Sequence, residues 1–66
     1  MFQRDIFASN LSALRKASGL SMKQLGEQFG VSDEAIRLLE KAKRSPSVEL
    51  LVSLADFFLV SLDYLV

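Results

Sequence analysis

The sequence predicts a compact all-α domain built from five short helices. Three observations carry that expectation. Apolar residues recur at spacings of three and four along most of the chain, and no stretch alternates as a strand would. Serines stand where helix N-caps belong, at Ser21, Ser32, Ser47 and Ser61. Gly19, Gly30 and Pro46 punctuate the segments between them. The chain has 66 residues, so one domain, residues 1–66, is expected. A domain of that size buries only about 60% of its unfolded surface, which leaves its core small.

The first helix reads as residues 5–18. Phe7, Leu11 and Leu14 fall four and three apart and mark its core face, with Ile6 and Asn10 beside them. Gly19 ends it. Arg15 follows Leu14 and lies close to the buried side, where a long stem can cover apolar surface while its charge reaches water.

Ser21–Glu40 is the stretch around which the rest is arranged. Ser21 and Gln24 form a capping box ahead of the second helix, whose stripe is Leu25 and Phe29. Gly30 can enter the left-handed region and stop it. Ser32 caps a third helix, with Asp33 and Glu34 in the first turn, where the helix dipole favours negative charge. Ile36 and Leu39 form its buried stripe. One spacing sharpens this reading. The small Gly26 precedes Gly30 by four, and Ile36 follows it by six. Two helices that cross steeply over a short turn need that arrangement. The first must lack bulk at the crossing, and the second must place a branched group in the angle. The pattern is a helix-turn-helix, about residues 21–40.

Lys41–Ser47 reads as a loop and is the densest basic run. Ser47 then caps a fourth helix, about Val48–Phe58, whose inward stripe is expected to be Val48, Leu51, Leu54, Ala55 and Phe58. Ser61 caps a last turn, Leu62–Val66, with Leu62 and Leu65 inward.

Composition excludes several classes of function. The chain has neither cysteine nor histidine, which removes the thiolate, the commonest general base and the commonest metal ligand. No glycine-rich phosphate loop is present, so no catalytic residues, metal site or cofactor are expected. Met1–Phe7 is short and polar for a signal peptide. The longest near-apolar run, Leu50–Val60, is broken by Ser53 and Asp56 and is too short to span a bilayer, so no membrane partner is expected. Formal net charge is zero, but all eight Lys/Arg lie in residues 1–44 beside five acids, and residues 45–66 carry three acids alone. The first part is therefore mildly basic and the second acidic.

The run LRKASGLSMKQLGEQFGVSDEAIRLLEKAKRSPSVELLVSLADFFLVSLDYLV resembles the Xre/Cro family of bacterial and phage repressors over nearly the whole chain. The resemblance implies a phage-repressor-like fold, a third helix that docks in the major groove, and a homodimer on operator DNA. It places Ser32, Asp33, Glu34, Arg37 and Leu38 at base-facing positions. Arg37 suits guanine and the acids suit cytosine N4, although Asp33 and Glu34 equally suit plain dipole stabilisation. It places Ser21, Met22 and Lys23 against the phosphate backbone at a helix N-terminus, with Met22 standing where the family commonly has glutamine. Lys41, Lys43 and Arg44 would grip phosphates without reading sequence. Arg15 and Glu40 match a pair that forms an architectural salt bridge in several members.

The chain also departs from the family pattern. Gly26 stands where alanine is preferred, a change that costs a helix roughly 1 kcal/mol. Ala42 stands where glycine is preferred, so it either adopts a left-handed conformation or extends the helix. Leu50, Phe57, Leu59, Tyr64 and Val66 add apolar groups beyond the inward stripe, and are expected to form a dimer surface or to meet a partner protein on the last two helices; the alternative is that they extend the core. The expected function is a cytoplasmic DNA-binding transcriptional repressor of a bacterial or phage-infected cell. The alternatives are an interaction module that kept the fold and lost DNA, and the antitoxin of a toxin–antitoxin pair.

Overall fold

The computed structural model describes residues 2–65. Five helices follow in order: α1 Arg4–Ala17, α2 Met22–Phe29, α3 Asp33–Glu40, α4 Val48–Phe58 and α5 Leu62–Leu65. Among the described residues there is no strand, and no helix is long and apolar enough to cross a membrane.

Local chemistry sets the helix ends. Ser21 Oγ accepts from the Gln24 backbone N–H at 3.0 Å, and Gln24 Oε1 accepts from the Ser21 N–H at 2.9 Å, which closes the capping box. Ser32 and Ser47 cap α3 and α4, accepting from Ala35 N–H and Leu50 N–H, each at 3.1 Å. Between α2 and α3, Gly30 takes φ 69°, the left-handed conformation that stops α2 and turns the chain.

One core ties the helices together. Phe7 and Leu11 of α1, Leu25 of α2, Ile36 and Leu39 of α3, Leu54 and Ala55 of α4, and Leu65 of α5 form a single buried cluster. Ile36 is fully buried in the angle of the turn. On the other side of that angle, a Cβ on Gly26 would lie 2.5 Å from the Val31 carbonyl oxygen. The Val31 N–H meanwhile donates to the Gly26 carbonyl at 3.0 Å. Glycine is thus demanded here by backbone meeting backbone, a tighter crossing than a merely small residue requires. Alanine would have to push the turn away.

The last two helices correct part of the sequence reading. Val48 and Leu62, expected inward, are exposed. Leu50, expected on an outer surface, packs against the core with Leu51 and Phe58. The inward face of α4 is therefore Leu50, Leu51, Leu54, Ala55 and Phe58, rotated from the expected stripe. Helix α4 is apolar around most of its circumference, so its periodicity could not choose a face. Asn10 Nδ2 donates to the Tyr64 carbonyl at 2.7 Å and fastens α5 to α1.

Candidate nucleic-acid interface

The α2–turn–α3 corner presents one flank of α3 to solvent. The helix packs on α2 and α1 through Ile36 and Leu39. Its outer residues Asp33, Glu34 and Arg37, with the cap residue Lys41, are exposed, and Leu38 is half-buried beside them. A helix supported on one side and bare on the other can enter a major groove, which admits an α-helix.

The first turn of α3 is fixed by its own side chains. Ser32 Oγ is committed as cap acceptor, and Asp33 Oδ1 accepts from the Glu34 N–H at 2.9 Å. One turn on, Arg37 Nε donates to Glu34 Oε1 at 3.0 Å, and Arg37 Nη2 donates to Glu34 Oε2. The pair stands in solvent, with side chains 47% and 60% exposed. The Glu34 carboxyl is held below the usual carboxylate range, first by the Arg37 hydrogen bonds and further by the charges of Arg37 and Arg44. The Arg37 guanidinium is correspondingly raised by Glu34. Their three-residue separation on a helix was the available signal that they meet.

Arg15 and Glu40 lie together behind α3, at the join of α1 and the end of the outward helix. Arg15 Nε donates to Glu40 Oε2 at 2.6 Å and Nη2 donates to Oε1 at 3.1 Å, while Nη1 donates to the Leu20 carbonyl at 2.8 Å. Their side chains are only 11% and 3% exposed. Hydrogen bonding to Glu40 raises the Arg15 guanidinium further above its ordinary range, against the opposing effect of burial. With three donors engaged, Arg15 is held as a strut between helices.

Past α3 the chain turns on Ala42, which takes φ 60°. The Lys43 N–H donates to the Leu38 carbonyl at 2.9 Å and the Ala42 N–H to the Leu39 carbonyl at 3.3 Å, so the helix stops at Glu40 rather than extending. Lys43 and Arg44 are then exposed, and the charge of Arg44 is felt by Glu34 at the far end of the same flank. At the start of α2, Ser21 and Lys23 are exposed. Met22 lies beside them, partly covered. Its side chain is half-buried against the core, and its backbone N–H stands in the first turn of α2.

The residues expected as a dimer surface are divided by the structure. Leu50 packs inward and lines a shallow groove with Phe29 and Val31. Phe57 stacks edge-on against Phe29 at 5.4 Å and Phe58 at 5.0 Å while remaining partly exposed. Leu59 is 91% exposed on a left-handed residue of φ 56°, and the Tyr64 side chain is half-exposed. Val66 lies outside the described residues.

A helix-turn-helix family model matches residues 11–65, which takes in the corner and α4 and α5 after it. The chain belongs to the Xre/Cro-type helix-turn-helix family. It is 35% identical over 60 residues to YobD of Bacillus subtilis, an uncharacterized HTH-type transcriptional regulator, covering 91% of this chain and 54% of that one. It is 39% identical over 59 residues to the HTH-type transcriptional activator BcrR of Enterococcus faecalis, covering 89% of this chain and 29% of BcrR. It is 33% identical over 61 residues to y4dJ of Sinorhizobium fredii, again an uncharacterized HTH-type transcriptional regulator, covering 92% and 79%. The chain spans about half the length of YobD and of a second Bacillus subtilis regulator, YqaE. An Xre/Cro-type domain is a DNA-binding element of transcription regulators, and this chain carries that element.

Proposed function

We propose that residues 1–66 act as a single non-catalytic domain that reads operator DNA with α3 in the major groove, as a symmetric homodimer in the cytoplasm, and represses transcription by occupancy. One observation carries the reading. The bare flank of α3 exposes Arg37, and Ser21 and Lys23 at the start of α2 and Lys41, Lys43 and Arg44 past the end of α3 are exposed as well, which supports one base-reading group backed by groups able to hold phosphate. Arginine forks onto guanine O6 and N7, whereas lysines and free N–H groups hold phosphates without choosing among bases. Repression by occupancy asks nothing of the domain beyond binding. The name of the Enterococcus relative supports activation for that protein, and a promoter-fusion reporter with the selected site distinguishes the two signs here.

The test is selection of bound sequences from a random DNA pool, followed by binding at graded salt. A palindromic site with half-sites about one helical turn apart is expected. Arg37→Ala should relax one base position, while Lys43→Ala should weaken all sequences alike and reduce the salt slope by about 1. Equal behaviour of the two variants would overturn this division of labour. A second reading is favoured by the exposed Val48, Val52, Leu59 and Leu62, an apolar face that suits a partner protein, including the toxin of a toxin–antitoxin pair. Failure to bind DNA at low salt, together with co-purification of a partner, would favour it.

A further inference from the structure

The outer flank of α3 carries one organised side-chain device, the Glu34–Arg37 pair. Both carboxylate oxygens of Glu34 are used, and both lie along a single edge of the guanidinium, the edge of Nε–H and one Nη2–H. A guanidinium has five N–H donors in a fixed planar fork. With that edge taken, the second Nη2–H and the Nη1 hydrogens remain, and they form the end of the fork. That end matches the O6 and N7 acceptors of guanine. Glu34 is itself fixed at its root, because its N–H is held by Asp33 and its helical turn is capped by Ser32.

We propose that Glu34 is a positioning residue for base reading. It grips Arg37 by one edge and so aims the other at a guanine in the major groove. This assignment rests on the DNA-binding reading above. Its physical benefit is pre-organisation, since a free arginine must lose side-chain freedom when it docks, and one already held loses less. The pair is also nearly neutral as a unit. It therefore contributes selectivity with little general attraction to phosphate. The carboxylate's retained charge, lowered in pKa by its partner, keeps the grip through ordinary pH.

The two effects separate in one experiment. A site is selected from a random pool with the unaltered protein. Affinities for that site, for the same site with its guanine replaced, and for mixed-sequence DNA are then measured for the unaltered protein, Glu34→Ala, Glu34→Gln and Arg37→Ala. The unaltered protein should prefer guanine by about tenfold or more. Glu34→Ala should lose most of that preference while binding mixed-sequence DNA more tightly, because a carboxylate facing phosphates has gone. Glu34→Gln should fall between, since one amide oxygen still accepts. Urea midpoints should move only slightly and alike for Glu34→Ala and Arg37→Ala, because the pair is exposed, which sets this effect apart from a merely structural one. If Glu34→Ala keeps or sharpens the guanine preference, Glu34 restrains Arg37 rather than aiming it, and the inference fails. If Arg37→Ala relaxes a guanine and Glu34→Ala does not, the assignment to Glu34 fails alone. If the unaltered protein selects no sequence, the DNA-binding reading fails and this one with it.

Discussion

Arg15 and Arg37 each offer Nε–H and Nη2–H to the two oxygens of a glutamate. At Arg15 the partner comes from 25 residues away, the side chains are almost dry, and a third donor is taken by the Leu20 carbonyl. At Arg37 the partner is three residues away on the same helix and both side chains stand in water. The bonding is alike and the surroundings are not. In the dry site neither charge can be left without the other, so the pair fixes how α3 sits on α1. In the wet site the second Nη2–H and the Nη1 hydrogens of Arg37 still face solvent while Glu34 holds the opposite edge, so the pair is not committed to the packing of the fold. Ion-pair chemistry alone says little about role, because burial and sequence separation decide it.

The sharpest way to break this contrast is to remove one member of the dry pair. Glu40→Ala should destabilise the domain by about 3–5 kcal/mol, because Arg15 is left buried without its carboxylate. Urea unfolding measures this, and a loss near zero would mean that the pair is not dry in solution. A middle-sized effect tests the segment that follows Glu40. Ala42 holds a conformation that costs L-residues roughly 1–2 kcal/mol. Ala42→Gly should therefore stabilise by about 0.5–1 kcal/mol after the added freedom of the unfolded chain is counted. The thermal midpoint should rise, and it should rise without altering the guanine preference.

The smallest effect comes from the wet pair. A carboxyl with a depressed pKa contributes stability above its unfolded value and loses it as pH falls through the lowered folded value. Arg37→Ala should therefore move the Glu34 titration upward, visible in carboxyl carbon shifts, with only a slight change in the urea midpoint at neutral pH. A Glu34 midpoint that stays where it was would show that Arg37 does not hold it in solution.

Much of this architecture was legible in the residues. Caps at Ser21, Ser32 and Ser47 and the stop at Gly30 act through neighbours three or four positions away, so the chain itself displays them. The outward flank of α3 was readable for the same reason. The face of α4 was not. With Val48, Leu50, Leu51, Val52, Leu54, Phe57 and Phe58 in one helix, only the way α4 enters the shared core could decide that Leu50 turns in and Val48 turns out. The choice at Ala42 was open for a similar reason. Extension and reversal are both within an alanine's reach, and the bonds to Leu38 and Leu39 settle it in favour of reversal. The Glu34–Arg37 pair is within reach of helical spacing, but each side chain can equally face a base edge alone, so spacing does not decide that they meet.

The contact between Gly26 and Val31 has a consequence for redesign. Main chain touches main chain there, with no side-chain cushion to absorb a change of angle. An α3 segment transplanted here from a relative would take the angle that this close backbone crossing sets. Exposed side chains of α3 can be exchanged one at a time without touching that angle, whereas any side chain added at Gly26 must change it.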